Sequence, residues 1–490
     1  MITMIARKHL PRRPAKDGRE DKNTGTPGEE GSAMRRNRTG IGTCIGLAAA
    51  LAAVLLLSGC GISLPRLTLN PQELYALPEL PAKYTELNGL INDILSSGAE
   101  YAAPTSGANI QPVQLVDLNG DGQEEAVAFF RNPSDEKPLK IYIFTAQGDG
   151  YVQSDLIEGS GTAIYSIAYR DLDSDGRQEL VVGWKATAEL QVLEVYTQRS
   201  GSTEALLRTD YVKYAITDLS EDRRQELVVL RSGEDGDSVA DYYSWQGDGS
   251  LSSRSSARIS ATMAELSQQG RVTQGMLRGD LPVLFVTGVT DQGVAVTDIL
   301  TLRGGELANI ALSELTGVTG VIAPFCSLYP TDIDGDGLTE VPCPVPMQTP
   351  WEENSYRQIE WSSYDENGVP ALVMRTYHDL DDGWYLELPE AWNGQVYVSR
   401  SVFASESMMT FYTRAGEEDR PFLRIIAVTG TGREARAVRG GRFVLSRQPE
   451  VIYAAELLEG NDGWEDGVSE EQVRGAFNLI QNEWLLSSDS

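Results

Sequence analysis

The chain has 490 residues, 71 Asp and Glu against 41 Lys and Arg, a formal charge of -30 and 4 cysteines. That length predicts two or three domains. So large an acidic excess argues against a nucleic-acid partner and against electrostatic adhesion to anionic lipid, and it suits an exposed protein that binds cations.

Residues 1–33 are polar and carry no packing pattern. Met34 opens a stretch of ordinary signal-peptide proportions, which makes it the expected true start. Arg35, Arg36 and Arg38 precede an apolar run from Ile41 to Leu57 that ends Leu57-Ser58-Gly59-Cys60. A basic segment, an apolar segment and small residues before a cut form a secretory signal. About 17 apolar residues is the short limit for a membrane span. The L-S-G-C ending resembles the lipobox of bacterial lipoproteins. The resemblance implies a signal peptide over 1–59 and a lipid (palmitate) anchor on Cys60, the first mature residue. The protein would then sit on the outer face of a cell membrane.

Residues 60–104 read as a tether followed by a helix. Tyr84, Leu87, Leu90, Ile91, Ile94 and Leu95 recur at helical spacing from about Pro81, and Gly98 ends the run. Residues 105–370 read as β: short apolar runs alternate with Gly, Asp and Ser turns. Within them the nine-residue segment DLNGDGQEE (Asp117–Glu125) recurs as DLDSDGRQE (Asp171–Glu179), as a degenerate DLSEDRRQE (Asp218–Glu226) and as DIDGDGLTE (Asp332–Glu340). A strand rich in Val and Leu follows most copies. A further unit without an acidic loop is expected near residue 277. A period near fifty residues with about four strands per unit predicts a β-propeller of five blades, or six if a terminal strand closes another.

These loops, D-x-[DN]-x-D-G-x-x-[DE] followed by a hydrophobic strand, resemble FG-GAP/VCBS-type repeats, the calcium-loop blades also found in integrin α-subunit heads. The resemblance covers about residues 110–345 and implies calcium. The chemistry agrees, because calcium takes six to eight oxygens and a Gly lets the turn bend where a Cβ is costly. The expected ligands are Asp117, Asn119, Asp121, the Gln123 carbonyl and Glu125. The second loop would use Asp171, Asp173, Asp175, the Arg177 carbonyl and Glu179, and the last Asp332, Asp334, Asp336, the Leu338 carbonyl and Glu340. An EF-hand needs Glu at position twelve, where these loops have Ala128, Val182 and Cys343. In the degenerate loop Ser220 replaces a carboxylate and Arg223 the glycine, so it is expected to lack metal, with Arg223 or Arg224 neutralising its acids. Cys326 and Cys343 flank the last loop. In an oxidising exterior they are a candidate disulfide, with two free buried thiols as the alternative.

Residues 371–490 change in texture and predict a small α+β domain, closed by a helix from about Ser469 to Leu485 with Ser469 as N-cap. The order of this segment is similar to that of C-terminal domains in uncharacterised clostridial-type lipoproteins. Asp379–Gly383 is read as a turn and Arg278-Gly279-Asp280 as a blade turn. His378 is the one mature histidine and is read as a surface residue, and no nucleophile motif accompanies it, which argues against triad catalysis and a His-ligated zinc. Trp245, Trp351, Trp361 and Trp384 are read as packing residues or, failing that, as a carbohydrate- or peptide-binding surface. The expectation is a non-enzymatic, calcium-binding surface protein that binds an unidentified protein or glycan. The alternative is a glycan-active hydrolase or lyase with carboxylates in the propeller channel.

Overall fold

The computed structural model describes residues 82–481, apart from 149, 200–201, 248, 314, 348–355 and 416–417. The expected signal, Cys60, the tether and Trp351 lie outside the described residues. The described part is mainly β, arranged as six antiparallel sheets that follow one another along the chain.

The second and third sheets are four-stranded meanders. The second runs Ala163–Arg170, Glu179–Lys185, Gln191–Arg199 and Ser202–Tyr211; the third runs Lys213–Thr217, Glu226–Ser232, Ser238–Trp245 and Leu251–Arg258. The first sheet has the same plan over Val113–Gly159, with Glu100–Tyr101 added beside Glu125–Arg131. The fourth is the unit expected near residue 277. Its strands Arg271–Leu277 and Leu281–Val289 are joined by the Arg278-Gly279-Asp280 turn, and Val294–Arg303 and Glu306–Asn309 follow.

The strand after each acidic loop is apolar almost throughout because both of its faces are covered. Glu125–Ser232 contains three such strands, and in each the first five residues are buried. Alternation is lost where neither face meets water. One cluster packs Val127, Phe129 and Ile141 of the first sheet against Ile164, Leu180 and Val182 of the second. Equivalent clusters join second to third, third to fourth, fourth to fifth and fifth to sixth.

The two remaining faces are covered by helices. Helix Ala82–Ser96 seats Leu87 and Ile91 on Ala126, Ala128 and Phe130 of the first sheet. Helix Arg433–Ala437 places Ala437 on Ile426, Ile452 and Ala454 of the sixth. Among the described residues no hydrophobic cluster joins the first sheet to the sixth. A third helix, Met263–Gln269, was not anticipated. Thr262 and Glu265 form its capping box, and its buried Leu266 fills the gap between third and fourth sheets.

The fifth sheet takes strands from both sides of residue 370: Val341–Pro346, Arg357–Tyr364, Pro370–Asp379 and Trp384–Leu388. Asp379–Gly383 is the expected turn, with the Gly383 N–H donating to the Asp379 carbonyl at 2.8 Å. The sixth sheet has the order Val396–Phe403, Glu406–Ala415, Glu418–Thr429, Val451–Leu457 and Phe443–Arg447.

Two expectations are corrected, and one left open between two states is narrowed. The closing helix is Glu470–Ala476, with the Ser469 cap as expected, and the chain then turns into strand Phe477–Leu479 on the edge of the fifth sheet. Pairing with Trp384–Leu388, and Phe477 packed 5.8 Å from the Trp384 ring and 5.5 Å from that of Tyr453, override helical propensity. His378 is not a surface residue. The strand continues to Asp379, so alternation puts Tyr377 in the core between the fifth and sixth sheets and His378 on the other face, between the Trp361 and Tyr385 rings. Cys326 and Cys343 are free thiols. Burial pushes the Cys326 thiol up to about 11 and raises Cys343, which keeps both out of the thiolate form that attacks disulfides. Trp361 and Trp384 are core residues, and Trp245 is half-buried with the Arg199 guanidinium 5.6 Å from its ring.

Candidate metal centres

Each acidic loop precedes a buried strand, and all four share one backbone design. Positions four and six both adopt left-handed φ: Gly120 and Gly122, Ser174 and Gly176, Glu221 and Arg223, Gly335 and Gly337. The sixth position was expected from the glycine pattern. The fourth was hidden, because Ser174 and Glu221 take the same conformation without being glycine. The degenerate loop therefore keeps the trace of the others while carrying two side chains in a region that disfavours them.

The carboxylates hold this trace. The first Asp accepts the position-six N–H in every loop: Gly122 to Asp117 at 2.9 Å, Gly176 to Asp171 at 3.0 Å, Arg223 to Asp218 at 3.0 Å and Gly337 to Asp332 at 2.9 Å. Position three (Asn119, Asp173, Asp334) accepts from position five at 2.8–3.2 Å. Asp121, Asp175, Asp222 and Asp336 accept from position seven, the N–H groups of Gln123, Arg177, Arg224 and Leu338. Such Asx turns draw the acidic side chains towards the inside of the bend.

The ninth residue closes each loop. Glu125, Glu179, Glu226 and Glu340 are at most 3% exposed. In each, Oε2 accepts the position-two N–H, from Leu118 at 2.9 Å, Leu172 at 2.9 Å, Leu219 at 2.8 Å and Ile333 at 3.3 Å. Position two is buried in all four loops, and in the first two its carbonyl stitches neighbouring units together. Leu118 accepts from Gln178 N–H at 2.8 Å, and Leu172 from Gln225 N–H at 3.3 Å. The first two loops also touch directly, since a Cβ on Gly120 would lie 2.3 Å from the Gly176 carbonyl oxygen. The apolar second position, visible as Leu or Ile after each first Asp, was a signal that could have been used.

The loops differ at the other oxygen of the closing Glu. Asn119 Nδ2 donates to Glu125 Oε1 at 3.0 Å, Thr197 Oγ1 donates to Glu179 Oε1 at 3.0 Å, and Ser220 donates to Glu226 Oε1. Glu340 Oε1 is buried without a hydrogen-bond partner. Burial pushes the Glu179 and Glu340 carboxyls up to about 7 each, and the neighbouring Asp charges add to this; Glu125, Glu226, Asp173 and Asp334 are raised, again by burial first. A cation would reverse these shifts by supplying the opposite charge.

Carboxylate oxygens converge closely enough to hold a metal ion in three groups: Asp171, Asp173 and Glu179; Asp218, Asp222 and Glu226; Asp332, Asp334 and Asp336. The first loop is not among them; its third position is the amide Asn119, whose NH2 engages Glu125. The Asp332 loop fits a cation best, having three converging carboxylates and a buried carboxylate oxygen still free. The degenerate loop departs from expectation. It retains a converging group, and among the described residues neither Arg223 nor Arg224 forms an ion pair with it. Ser220 occupies Glu226, while Asp218 Oδ1 is left without a partner.

Among the described residues no helix is long and apolar enough to cross a membrane. No curated protein matches the chain. A family model described as an FG-GAP-like repeat matches residues 117–182, from the first Asp of one acidic loop to the strand after the next, so the chain carries an FG-GAP-like repeat of the kind that suggests a β-propeller-like extracellular protein.

Proposed function

We propose that the protein is a calcium-binding, cell-surface β-propeller that acts without catalysis as a binding or scaffold protein for a protein or glycan partner. It is held to the outer face of a membrane by lipid on Cys60. The observation that carries this reading is the repeated loop: four copies of one backbone trace, with carboxylates drawn inward and an unsatisfied buried oxygen on Glu340. Calcium is the hard, oxygen-seeking cation abundant outside cells, and weak sites of the extracellular class suffice there. Bound at Asp332, Asp334, Asp336 and Glu340, or at Asp171, Asp173, Asp175 and Glu179, it would relieve carboxylate repulsion and tie the turn to its strand. Its role is structural, because binding to the folded loop alone couples metal to stability. The L-S-G-C sequence supports the anchor, and the array of sheets, in which the fifth sheet takes strands from both sides of residue 370, supports a binding surface built on one continuous scaffold.

The test is unfolding of the full chain in calcium and in chelator. The expected result is a clear rise in midpoint with calcium that Asp332→Asn reduces. An unchanged midpoint in calcium overturns the metal reading.

A further inference from the structure

The sixth sheet carries a second, unrelated site. A cleft of about 450 Å³ opens on its outer face, beside helix Arg433–Ala437 and the turn Arg439–Gly441. Four arginines line it, Arg424, Arg436, Arg439 and Arg442, together with two carboxylates, Glu406 and Glu456. The surplus is two positive charges, within a chain whose formal charge is -30.

The arginines are held in place. Glu406 receives Arg436 Nη1 at 3.2 Å and Arg442 Nη2 at 3.0 Å, and Arg442 Nη1 donates to the Arg436 carbonyl at 3.1 Å. Burial opposes ionisation of Glu406, but these two guanidinium groups outweigh it and hold the carboxyl below its usual value. Arg424 donates through Nε to Thr410 Oγ1 at 3.1 Å and through Nη1 to Glu456 at 3.3 Å. Arg439 differs: among the described residues it makes no hydrogen bond or ion pair, and it stands exposed at the cleft's edge. Phe403, 77% exposed, forms an apolar part of the rim.

We propose that this cleft binds a phosphate group through Arg439 and the unengaged N–H groups of Arg424 and Arg442, while Arg436, held by Glu406 and by the Thr429 and Thr431 carbonyls, contributes its charge. A guanidinium fork matches the spacing of phosphate oxygens, and charge-assisted bonds to it are the strong ones. A dianion balances the surplus of two charges, which a single carboxylate leaves half satisfied. The volume suits a small ligand. The acidic remainder of the chain repels extended anionic surfaces, so the cleft selects a single phosphate rather than a polyanion.

The experiment titrates the full chain, without acylation, with inorganic phosphate and with acetate, at a calcium concentration too low to precipitate phosphate. A parallel arm measures co-flotation with phosphatidylglycerol and phosphatidylcholine vesicles. Saturable phosphate binding, weakened about tenfold in Arg439→Ala by loss of charge-assisted bonds, is expected. Arg439 supports no other group, so the variant's unfolding midpoint should match the parent's. Phosphate binding without vesicle binding assigns the ligand to soluble phosphate esters. Binding to phosphatidylglycerol vesicles without saturable binding of inorganic phosphate also overturns the proposal, because that headgroup is a monoanion on an extended anionic surface. Absence of both, equal competition by acetate, or unchanged binding in Arg439→Ala overturns the proposal.

Discussion

Glu340→Gln separates a carboxylate that waits for a cation from one that only braces its turn. Glu340 is fully buried, its Oε2 accepts the Ile333 N–H at 3.3 Å, and its Oε1 has no partner. Burial moves its carboxyl from 4.5 to about 7 in the metal-free fold. The folded state therefore holds this proton more tightly than the unfolded chain does. The resulting penalty is absent below about pH 4.5, grows as pH rises through the window up to about 7, and is complete above it. At 1.36 kcal/mol per pH unit the upper bound is about 3 kcal/mol. Water reaching the acidic mouth of the loop screens this to about 1–2 kcal/mol. Gln removes the charge and keeps an oxygen for Ile333. Urea unfolding of the full chain at pH 8 should thus show the variant about 1–2 kcal/mol more stable than the parent in chelator. In calcium the order should narrow or reverse, because the variant lacks one ligand charge. Equal destabilisation in both conditions would refute the reasoning, since it would mean that the carboxylate only braces the turn.

Arg223 adopts φ 73 in the degenerate loop, so Arg223→Gly should stabilise the chain by about 1 kcal/mol in urea unfolding by removing left-handed strain. Loss of stability would mean that its side chain contributes more than the strain costs. Burial between aromatic rings lowers the His378 imidazole from 6.5 to about 3. Its NMR signals should stay those of a neutral ring from pH 7 to pH 4. The unfolded chain takes up that proton first, so the associated stability is complete above pH 6.5 and is lost as pH falls towards about 3. His378→Phe should flatten the pH dependence of stability across that window, and a signal titrating near 6.5 would refute the burial argument.

The acidic loops were legible because their chemistry is local. Side chains one, three, five and nine, and the bend between them, all fall within nine residues, so residue type and spacing are nearly sufficient. Helix Ala82–Ser96 was legible because Leu87 and Ile91 recur on one face. Helix Met263–Gln269 was equally readable from Thr262 and Glu265, whose spacing is that of a capping box. The C-terminal helix was over-extended because Phe477, Asn478 and Leu479 suit either a helix or a strand, and only the free edge at Trp384–Leu388 decides between them. Surface exposure was wrongly read for His378 because a lone polar residue near a turn gives no sign of the two rings that cover it.

The amino-acid sequence by itself determined the β class, the repeat period and the residues that line the acidic loops. Those features rest on alternation, turn chemistry and short-range carboxylate spacing, which do not depend on distant contacts. Tertiary structure alone decided which closing glutamate keeps a free oxygen, since Glu125 is satisfied by Asn119 and Glu179 by Thr197 from a different strand. It also decided that Arg424, Arg436, Arg439 and Arg442 share one cleft. Guanidinium groups on separate strands and turns acquire a common field only when the sixth sheet and its covering helix bring them to the same face.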